Sequence, residues 1–313
     1  STVEDTHILE RSNKMVHILT LHYATSAWLE IQKRHILKYS NSEKYKLWLG
    51  KFHLDLPEDF ELPDNWEVID LDEKYPSDGG DDHYLQAQWM FTNCVKEAMD
   101  DDDVIIFIDN DAFPCASEWW QLIEAVQSPE PNTPDVVYAY QPENRGIACP
   151  EEYIMYPDLF FFATTKKVWE RGNLRWGYTT PDQQNPGFGM KDRINSAQLK
   201  VGTIERTNRF NSHQVMFGVY GNCLYHQQCG SRALIGRPFA NVQCGVNNKR
   251  MCYTAADLYE RRFIGNWFVQ EFEDECADII ETNTQIFDVV FDKLKKDTGC
   301  NFIRRFFMGI PGE

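Results

Sequence analysis

The stretch Asp103-Val104-Ile105-Ile106-Phe107-Ile108-Asp109-Asn110-Asp111-Ala112-Phe113 decides how the rest of the chain is interpreted. Five apolar and mostly β-branched residues, 104–108, stand between the acidic run 100–103 and a second acidic pair. A short apolar run with polar ends is typical of a strand that is buried on both faces inside a parallel sheet. The pattern therefore predicts an α/β fold in which residues 104–108 form the central strand.

Two carboxylates, Asp109 and Asp111, follow directly after this predicted strand. Open α/β sheets bind ligands in the crevice at the carboxyl ends of their strands. Hard divalent cations prefer oxygen ligands, and such a cation can bridge a carboxylate to a phosphate group. The residues predict a metal site here, and the alternative is an acidic loop that ends the strand and faces water.

The sequence of a hydrophobic strand followed by Asp109-Asn110-Asp111 resembles the DxD motif of metal-dependent glycosyltransferases with the GT-A fold, of viral or microbial type. The resemblance covers this core and, more loosely, about residues 1–240. It implies a three-layer, Rossmann-like α/β fold with a mostly parallel sheet between helices. It also implies that the motif binds Mn²⁺ or Mg²⁺, which holds the diphosphate of a UDP- or GDP-sugar donor.

The activity that the resemblance implies is transfer of a hexosyl or pentosyl unit from a nucleotide sugar to an acceptor hydroxyl, on a glycan or glycoprotein. Retaining and inverting chemistry both remain open, and so do two other functions. One is a noncatalytic module that binds a sugar or nucleotide sugar. The other is a phosphotransferase of the haloacid dehalogenase type, in which the first Asp is the nucleophile. That family has Thr or Val two residues after the second Asp, where this chain has Phe113.

Composition limits the class of protein and of partner. The chain has 313 residues, of which 42% are hydrophobic, and this is enough for one large core. Its formal net charge is −17. An acidic protein repels phosphate backbones, so we expect no nucleic-acid partner. A nucleotide sugar is also anionic, so binding one requires a cation at the site.

Segments that would direct the chain to a membrane or an oxidising compartment are not evident in the sequence. No apolar run approaches the roughly 20 residues of a membrane span. No signal peptide is visible after Ser1, and no Asn-x-Ser/Thr sequon occurs. The nine cysteines form no CxxC pair, so neither a disulfide framework nor a zinc module is indicated. We therefore expect a soluble cytoplasmic protein.

Pattern changes along the chain predict two domains. We expect a GT-A-like catalytic domain over residues 1–251, with a nucleotide-binding half at about 15–128 and an acceptor-binding half at about 135–251. A proline-rich linker separates the two halves. Residues 252–313 have helical patterns and predict a helical C-terminal extension. Its last segment mixes aromatic and basic residues, which is compatible with peripheral contact to a membrane surface or with burial against the body.

Periodicity and turn residues predict the elements around the motif. Strands are expected at residues 15–21, 45–51, 66–71, 136–140, 158–164 and 215–224. Helices are expected at 27–39 with Thr25 or Ser26 as the cap, after Asp81 or Asp82 as the cap, at 117–126 and at 166–171. A long irregular loop is expected over residues 177–193, which are rich in Gly and Pro.

The resemblance also implies contacts to the nucleotide. The loop after the first strand would place Thr20, His22 and Tyr23 against the base and ribose. The segment before the second predicted helix would bring Asp78 and Asp82 near the nucleotide. In the alternative interpretation, the first group packs under the helix and the two acids lie in a solvated turn.

Two later segments resemble further parts of the family's site. Asp182 would act as a catalytic base or as a ligand to the sugar, and the alternative is a helix cap after Pro181. His226 would join Asp109 and Asp111 as the third metal ligand, since imidazole binds manganese; the alternative is a structural histidine.

Arg232 would neutralise charge on the diphosphate. The family's Lys-Pro pair after the glycine has only a stretched counterpart here, at residues 236–238. Asp109 would also hold the ribose or a metal-bound water, because it lies nearer the sheet than Asp111.

Overall fold

The computed structural model describes residues 14–24, 26, 28–79, 82–127, 132–139, 156–181, 186–204 and 218–226. The strands are β1 (Val16–Tyr23), β2 (Tyr45–Phe52), β3 (Trp66–Asp70), β4 (Val104–Asp109), β5 (Ala112–Pro114), β6 (Val136–Ala139), β7 (Phe162–Thr165), β8 (Val201–Ile204), β9 (Gly218–Tyr220) and β10 (Leu224–His226). The helices are α1 (Leu29–Tyr39), α2 (Leu71–Lys74), α3 (His83–Met90), α4 (Trp119–Gln127), α5 (Lys166–Arg171) and α6 (Pro186–Ser196). Helix α3 continues into a π turn and a 3₁₀ turn that end at Ala98.

The main sheet has seven strands in the order β3-β2-β1-β4-β7-β6-β8, which makes β4 its central strand. Strands β1 to β4 pair in parallel, as do β6 and β8. Strand β7 is antiparallel to both of its neighbours. A second sheet of three strands has the order β5-β10-β9 and leaves the main sheet directly after β4.

The side chains of β4 alternate between two apolar clusters. Val104, Ile106 and Ile108 pack in a cluster with residues of α1 and α4. Ile105 and Phe107 pack in another, with residues of α3, α5 and α6. Because successive side chains of a strand point to opposite faces, helices cover both faces of the sheet. The predicted three-layer, mostly parallel fold is confirmed, with residues 104–108 central and buried.

Several predicted elements occur within a residue or two of their expected bounds, among them β1, β2, β3 and α5. Of the two predicted caps of α3, Asp82 is the one observed, because its side chain accepts a hydrogen bond from the backbone N–H of Tyr84. Thr165 caps α5 in the same way through Val168. These short-range features depend on local chemistry, which the sequence states directly.

Other local predictions were wrong. Ser26 is not the cap of α1, because Trp28 precedes the helix and makes no side-chain cap bond, and Thr25 lies outside the described residues. The predicted loop 177–193 ends earlier than expected, because its last part forms α6. The predicted strand 158–164 is regular only from Phe162.

The segment predicted as one strand over 215–224 contains a hairpin. Strands β9 and β10 pair antiparallel across a turn in which Gly221 and Asn222 both have φ of 56°. Two successive residues at positive φ turn the chain in the sense that matches strand twist, and Gly and Asn adopt this conformation with little strain. Strands β5 and β8 had no sequence prediction.

Some predictions fall on residues that the structure does not describe, including the helical extension 252–313 and residues 128–131 of the linker before β6. Where cysteines are described, Cys94, Cys115 and Cys223 are free thiols. Within the described ranges, no helix combines the length and apolar content needed to cross a membrane.

Candidate metal centre

Three side chains that can bind a metal converge where the main sheet meets the small sheet: Asp109, Asp111 and His226. One ligand atom of each lies within 4.8 Å of the others. The Nε2 atom of His226 is 3.4 Å from a carboxylate oxygen of Asp111 and 3.8 Å from one of Asp109. In the part of the chain that the structure describes, this is the one group of three or more such side chains.

The backbone places these residues through two different strand pairings. Asp109 is the last residue of β4 and lies opposite Leu21 of β1 at the carboxyl end of the parallel strands. Asp111 lies in the turn between β4 and β5. Strand β5 pairs antiparallel with β10, and this register puts His226 opposite Ala112. The imidazole therefore arrives beside Asp111 although it comes from a distant part of the sequence.

The ring of His226 is held by an aromatic neighbour. It stacks on Phe160 with a centroid distance of 4.3 Å and an interplanar angle of 11°. Phe160 also contacts Tyr220 of β9, at 4.7 Å between ring centroids. With His226 only 4% exposed, its Nε2 edge is directed at the carboxylates while its face is covered.

The donor set fits a hard divalent cation. Two carboxylates at this separation repel each other, and a cation between them removes that repulsion. Carboxylate oxygens suit Mg²⁺ and Mn²⁺, and imidazole is an additional ligand for transition metals. Asp111 and His226 are buried, whereas the Asp109 side chain is 23% exposed. An anionic ligand can therefore reach the centre from the side of Asp109.

A buried amide side chain lies behind the Asp-Asn-Asp turn. The amide nitrogen of Gln32, on α1, donates to the backbone oxygens of Asp109 at 2.7 Å and Ala112 at 2.8 Å. Its oxygen accepts from the Thr20 hydroxyl at 3.1 Å and lies 2.9 Å from Nε2 of His22. Thr20, His22 and Gln32 are all 0% exposed.

Thr20 and His22 thus have a different environment from the one that the resemblance implies. Both side chains lie in the interior and contact Gln32, and a contact of either residue to the base or ribose stays a prediction. Burial lowers the pKa of His22 to about 4, while Gln32 and Asp111 act in the opposite direction. The ring is therefore neutral near pH 7. Its Nδ1 atom has no hydrogen-bond partner among the described residues.

Tyr23 is half-buried at the carboxyl end of β1, within a group of aromatic rings. Its ring centroid is 5.7 Å from that of Phe52 and 5.7 Å from that of His53. His53 has a φ of 52°, and its ring nitrogen lies 2.7 Å from a carboxylate oxygen of Asp72. Because His53 is exposed, this group presents an aromatic surface near the same sheet edge as the metal centre.

The two acids expected near the nucleotide lie in the segment between α2 and α3. Asp78 is exposed in the turn that follows α2. Asp82 accepts hydrogen bonds from the backbone N–H of Tyr84 and, at 3.5 Å, from the hydroxyl of Tyr178. The cap role of Asp82 occupies one of its oxygens, and a contact from either acid to a nucleotide stays a prediction.

Two of the predicted site residues lie outside the described residues. These are Asp182, the predicted catalytic residue, and Arg232, the predicted diphosphate contact. Their roles stay predictions from the resemblance.

Sequence reasoning missed Gln32 and Phe160. A signal for Gln32 was present, because it occurs with Leu29, His35 and Ile36 on the buried side of α1. A polar residue on the apolar side of a helix must find partners inside the protein. Phe160 had no such signal, since it is one of three consecutive phenylalanines and only the tertiary structure shows which one meets His226.

No protein-family model matches the sequence, and no curated protein matches it significantly. The chain does align with glycosyltransferases of known structure. A mannosyltransferase, PcManGT from Pyrobaculum calidifontis in complex with GDP-Man and Mn²⁺, is 11% identical, and the alignment covers 94% of this chain and 78% of that chain with a TM-score of 0.40.

Two further structures give similar values. Residues 1–349 of TarS from S. aureus are 9% identical over 90% of this chain and 92% of theirs, with a TM-score of 0.41. The galactosyltransferase LgtC, with donor and acceptor sugar analogues, is 12% identical over 60% of this chain and 72% of its own, with a TM-score of 0.34. Identities and TM-scores are both low, and we base the functional proposal on the geometry of the metal centre.

Proposed function

We propose that this protein is a metal-dependent glycosyltransferase that moves a sugar from a nucleotide-diphosphate sugar to an acceptor hydroxyl. The observation that carries the proposal is the convergence of Asp109, Asp111 and His226 at the carboxyl end of the central strands. Ligands of open α/β sheets bind at this end. A site with two carboxylates and one imidazole is suited to a cation, whereas an anionic diphosphate alone would be repelled by it.

Each part of the site has a proposed task. Asp109, Asp111 and His226 would hold Mn²⁺ or Mg²⁺. The bound cation would neutralise the diphosphate and stabilise its charge as the sugar leaves. The aromatic surface of Tyr23, together with His53, would contact the nucleoside by stacking.

The acceptor side of the reaction needs groups that the sequence supplies in other segments. The acceptor oxygen would bond to the anomeric carbon as the bond from that carbon to the diphosphate breaks. The hydroxyl proton would pass to a base in an inverting reaction, and Asp182 is the candidate. Arg232 would contact the departing diphosphate. The acceptor would be a glycan or a glycoprotein.

Calorimetry tests the binding step of this proposal. UDP and GDP are titrated into the protein with Mn²⁺, with Mg²⁺, and with a chelator in place of the metal. We expect at least one of the nucleotides to bind only when a divalent metal is present. Equal affinity with and without the metal would overturn the proposed site.

A panel of UDP- and GDP-sugars then tests turnover. Release of nucleoside diphosphate that requires the metal supports a transferase. Tight metal-dependent binding with no release, in the presence of a broad set of acceptor sugars, would instead support the noncatalytic module.

A further inference from the structure

The side chain of Gln32 makes four polar contacts within a fully buried environment. Two of its partners are the backbone oxygens of Asp109 and Ala112, and the other two are Thr20 and His22. The four donor–acceptor distances lie between 2.7 and 3.1 Å. Within the part of the chain that the structure describes, Gln32 is therefore a link between α1, β1 and both ends of the Asp-Asn-Asp turn.

The orientation of the amide group follows from its partners. Backbone carbonyls only accept hydrogen bonds, so the NH₂ group of Gln32 must face Asp109 and Ala112. The amide oxygen then faces Thr20 and His22 and must accept from both. This requires the tautomer of His22 that carries its proton on Nε2. Rotating the amide by half a turn would turn its oxygen toward the two carbonyl oxygens and break both of those contacts, so one arrangement is strongly preferred.

The two carbonyl groups that Gln32 binds lie on either side of Asp111. One belongs to Asp109 itself and the other to Ala112, the residue after Asp111. The positions of both carbonyls determine the path of the turn between β4 and β5, and thereby the separation of the two carboxylates. His226 is set independently, by the pairing of β10 with β5 and by the ring of Phe160.

From this geometry we infer that Gln32 is a positioning residue that fixes the spacing of Asp109 and Asp111 and so determines the affinity and the selectivity of the site for metal ions. The inference rests on the proposed function, since it requires that the three side chains bind a metal. Gln32 itself is not a ligand. It acts through the backbone of the turn, as outer-shell partners of metal ligands commonly do.

The metal selectivity distinguishes positioning from a merely structural role. Mg²⁺ requires near-octahedral geometry with short bonds of about 2.1 Å, whereas Ca²⁺ tolerates irregular geometry and bonds of about 2.3–2.6 Å. Loosening the turn should therefore weaken binding of Mg²⁺ and Mn²⁺ more than binding of Ca²⁺. A general loss of stability would lower the fraction of folded protein, which affects all three ions equally.

The main variant is Gln32→Met, which is similar in length and flexible but cannot form the four hydrogen bonds. The matched control is His35→Met on the same helix. His35 is also buried, and its ring nitrogen lies 2.9 Å from the backbone oxygen of Pro114, at the far end of β5 from the turn. Both variants remove a buried side-chain contact between α1 and β5. Only the first removes contacts to the turn.

Thr20→Val is a milder variant for the case in which Gln32→Met does not fold. It preserves the shape of the side chain but removes the hydroxyl that donates to Gln32. The amide oxygen of Gln32 then loses one of its two donors. We expect Thr20→Val to shift the selectivity for Mg²⁺ and Mn²⁺ over Ca²⁺ in the same direction as Gln32→Met does, but by a smaller factor.

Each intact protein is titrated with Mn²⁺, and electron paramagnetic resonance measures the free ion. Mg²⁺ and Ca²⁺ are then added in competition with Mn²⁺. We expect Gln32→Met to lower the Mn²⁺ affinity by about 10- to 100-fold. The affinity for Ca²⁺ should fall by a smaller factor. His35→Met should leave the ratio of the Mn²⁺ affinity to the Ca²⁺ affinity unchanged.

Three outcomes would count against the inference, and they differ from one another. If the wild type binds Mn²⁺ and both Gln32→Met and Thr20→Val keep its selectivity, the positioning role is wrong while the proposed function stands. If His35→Met changes the selectivity as much as Gln32→Met, the effect is general loosening and the positioning role is again wrong. If the wild type does not bind Mn²⁺ at all, the proposed function and this inference both fail.

Discussion

The imidazole of His226 lies nearly flat on the ring of Phe160, with the two centroids 4.3 Å apart. This contact covers one face of a side chain whose edge is directed at Asp109 and Asp111. We predict that Phe160→Leu lowers the Mn²⁺ affinity several-fold, because the imidazole gains freedom that binding must then remove. The unfolding free energy should fall by about 1–2 kcal/mol through lost packing.

Phe161→Leu is the control for this change, because Phe161 is the next residue, is equally buried and belongs to the same apolar cluster. It should lower the stability by a similar amount and leave the Mn²⁺ affinity unchanged. Titrations with Mn²⁺ and urea unfolding curves measure both quantities. Equal losses of metal affinity in the two variants would show that the stacking on His226 has no separate effect.

The three predicted ligands should differ in their importance. Asp111→Asn keeps the volume but removes a buried charge, so we expect it to abolish metal-dependent turnover with the fold intact. Asp109→Asn should weaken nucleotide binding as well as turnover. His226→Ala should reduce turnover less than Asp111→Asn does, because water replaces a neutral ligand more easily than a charged one. Steady-state rates of nucleotide-sugar hydrolysis give the order, and full activity of a stable Asp111→Asn would mean that the motif is only an acidic turn.

Acid should destabilise the protein through His22. Its pKa is about 4 in the folded state, whereas the ordinary pKa of histidine, which applies to the unfolded chain, is 6.5. The unfolded state therefore binds a proton at a higher pH than the folded state does. The contribution of the neutral ring to the free energy of unfolding is fully present above pH 6.5. This contribution is lost as the pH falls toward 4, and the loss amounts to at most about 3 kcal/mol.

The variant His22→Gln isolates this contribution. Burial also lowers the pKa of His17, so the wild type should lose stability from both histidines over this range of pH. Urea unfolding at several pH values should give a shallower decline for His22→Gln than for the wild type. Parallel declines would show that His22 titrates alike in the folded and unfolded chain.

A glycine of α6 should tolerate no side chain. A Cβ atom on Gly189 would lie 1.9 Å from the backbone oxygen of Gly177, so the helix would have to move. We expect Gly189→Ala to cost about 1–3 kcal/mol, in spite of the higher helix propensity of alanine. Gly50→Ala is the comparison, because its Cβ would meet the flexible end of the Met90 side chain at 2.7 Å and should cost less. Thermal unfolding of the two variants checks this order.

The sequence predicted the features of the fold that depend on short-range patterns. The run 104–108 is apolar at every position because both faces of β4 are covered, and this is the pattern that predicted a central strand. The Asp82 cap could be predicted because the capping bond lies within three residues. The hairpin at Gly221 and Asn222 was missed, although two adjacent turn residues inside an apolar run are a signal for it.

The candidate site was predictable only in part, because its residues depend on pairings that the sequence does not state. The proposed ligand His226 came from the resemblance to the DxD family, whereas its position beside Asp111 comes from the register of β5 against β10. The role of Gln32 depends on which carbonyl groups α1 faces, and no local pattern specifies those partners. Burial of Thr20 and His22 likewise follows from the packing of α1 on β1.

The site lies at the junction of two sheets that draw on different parts of the chain. Among the described residues, the last strand of the main sheet ends at Ile204, and both carboxylates lie within or directly after β4. The imidazole is added only when β10 closes against β5, which is a long-range step with a high entropic cost. A refolding chain that has formed the main sheet alone would therefore hold two of the three ligands. At the proposed site, Mn²⁺ would bind with full affinity only after β10 has paired with β5, so binding of the ion would report this late step of assembly.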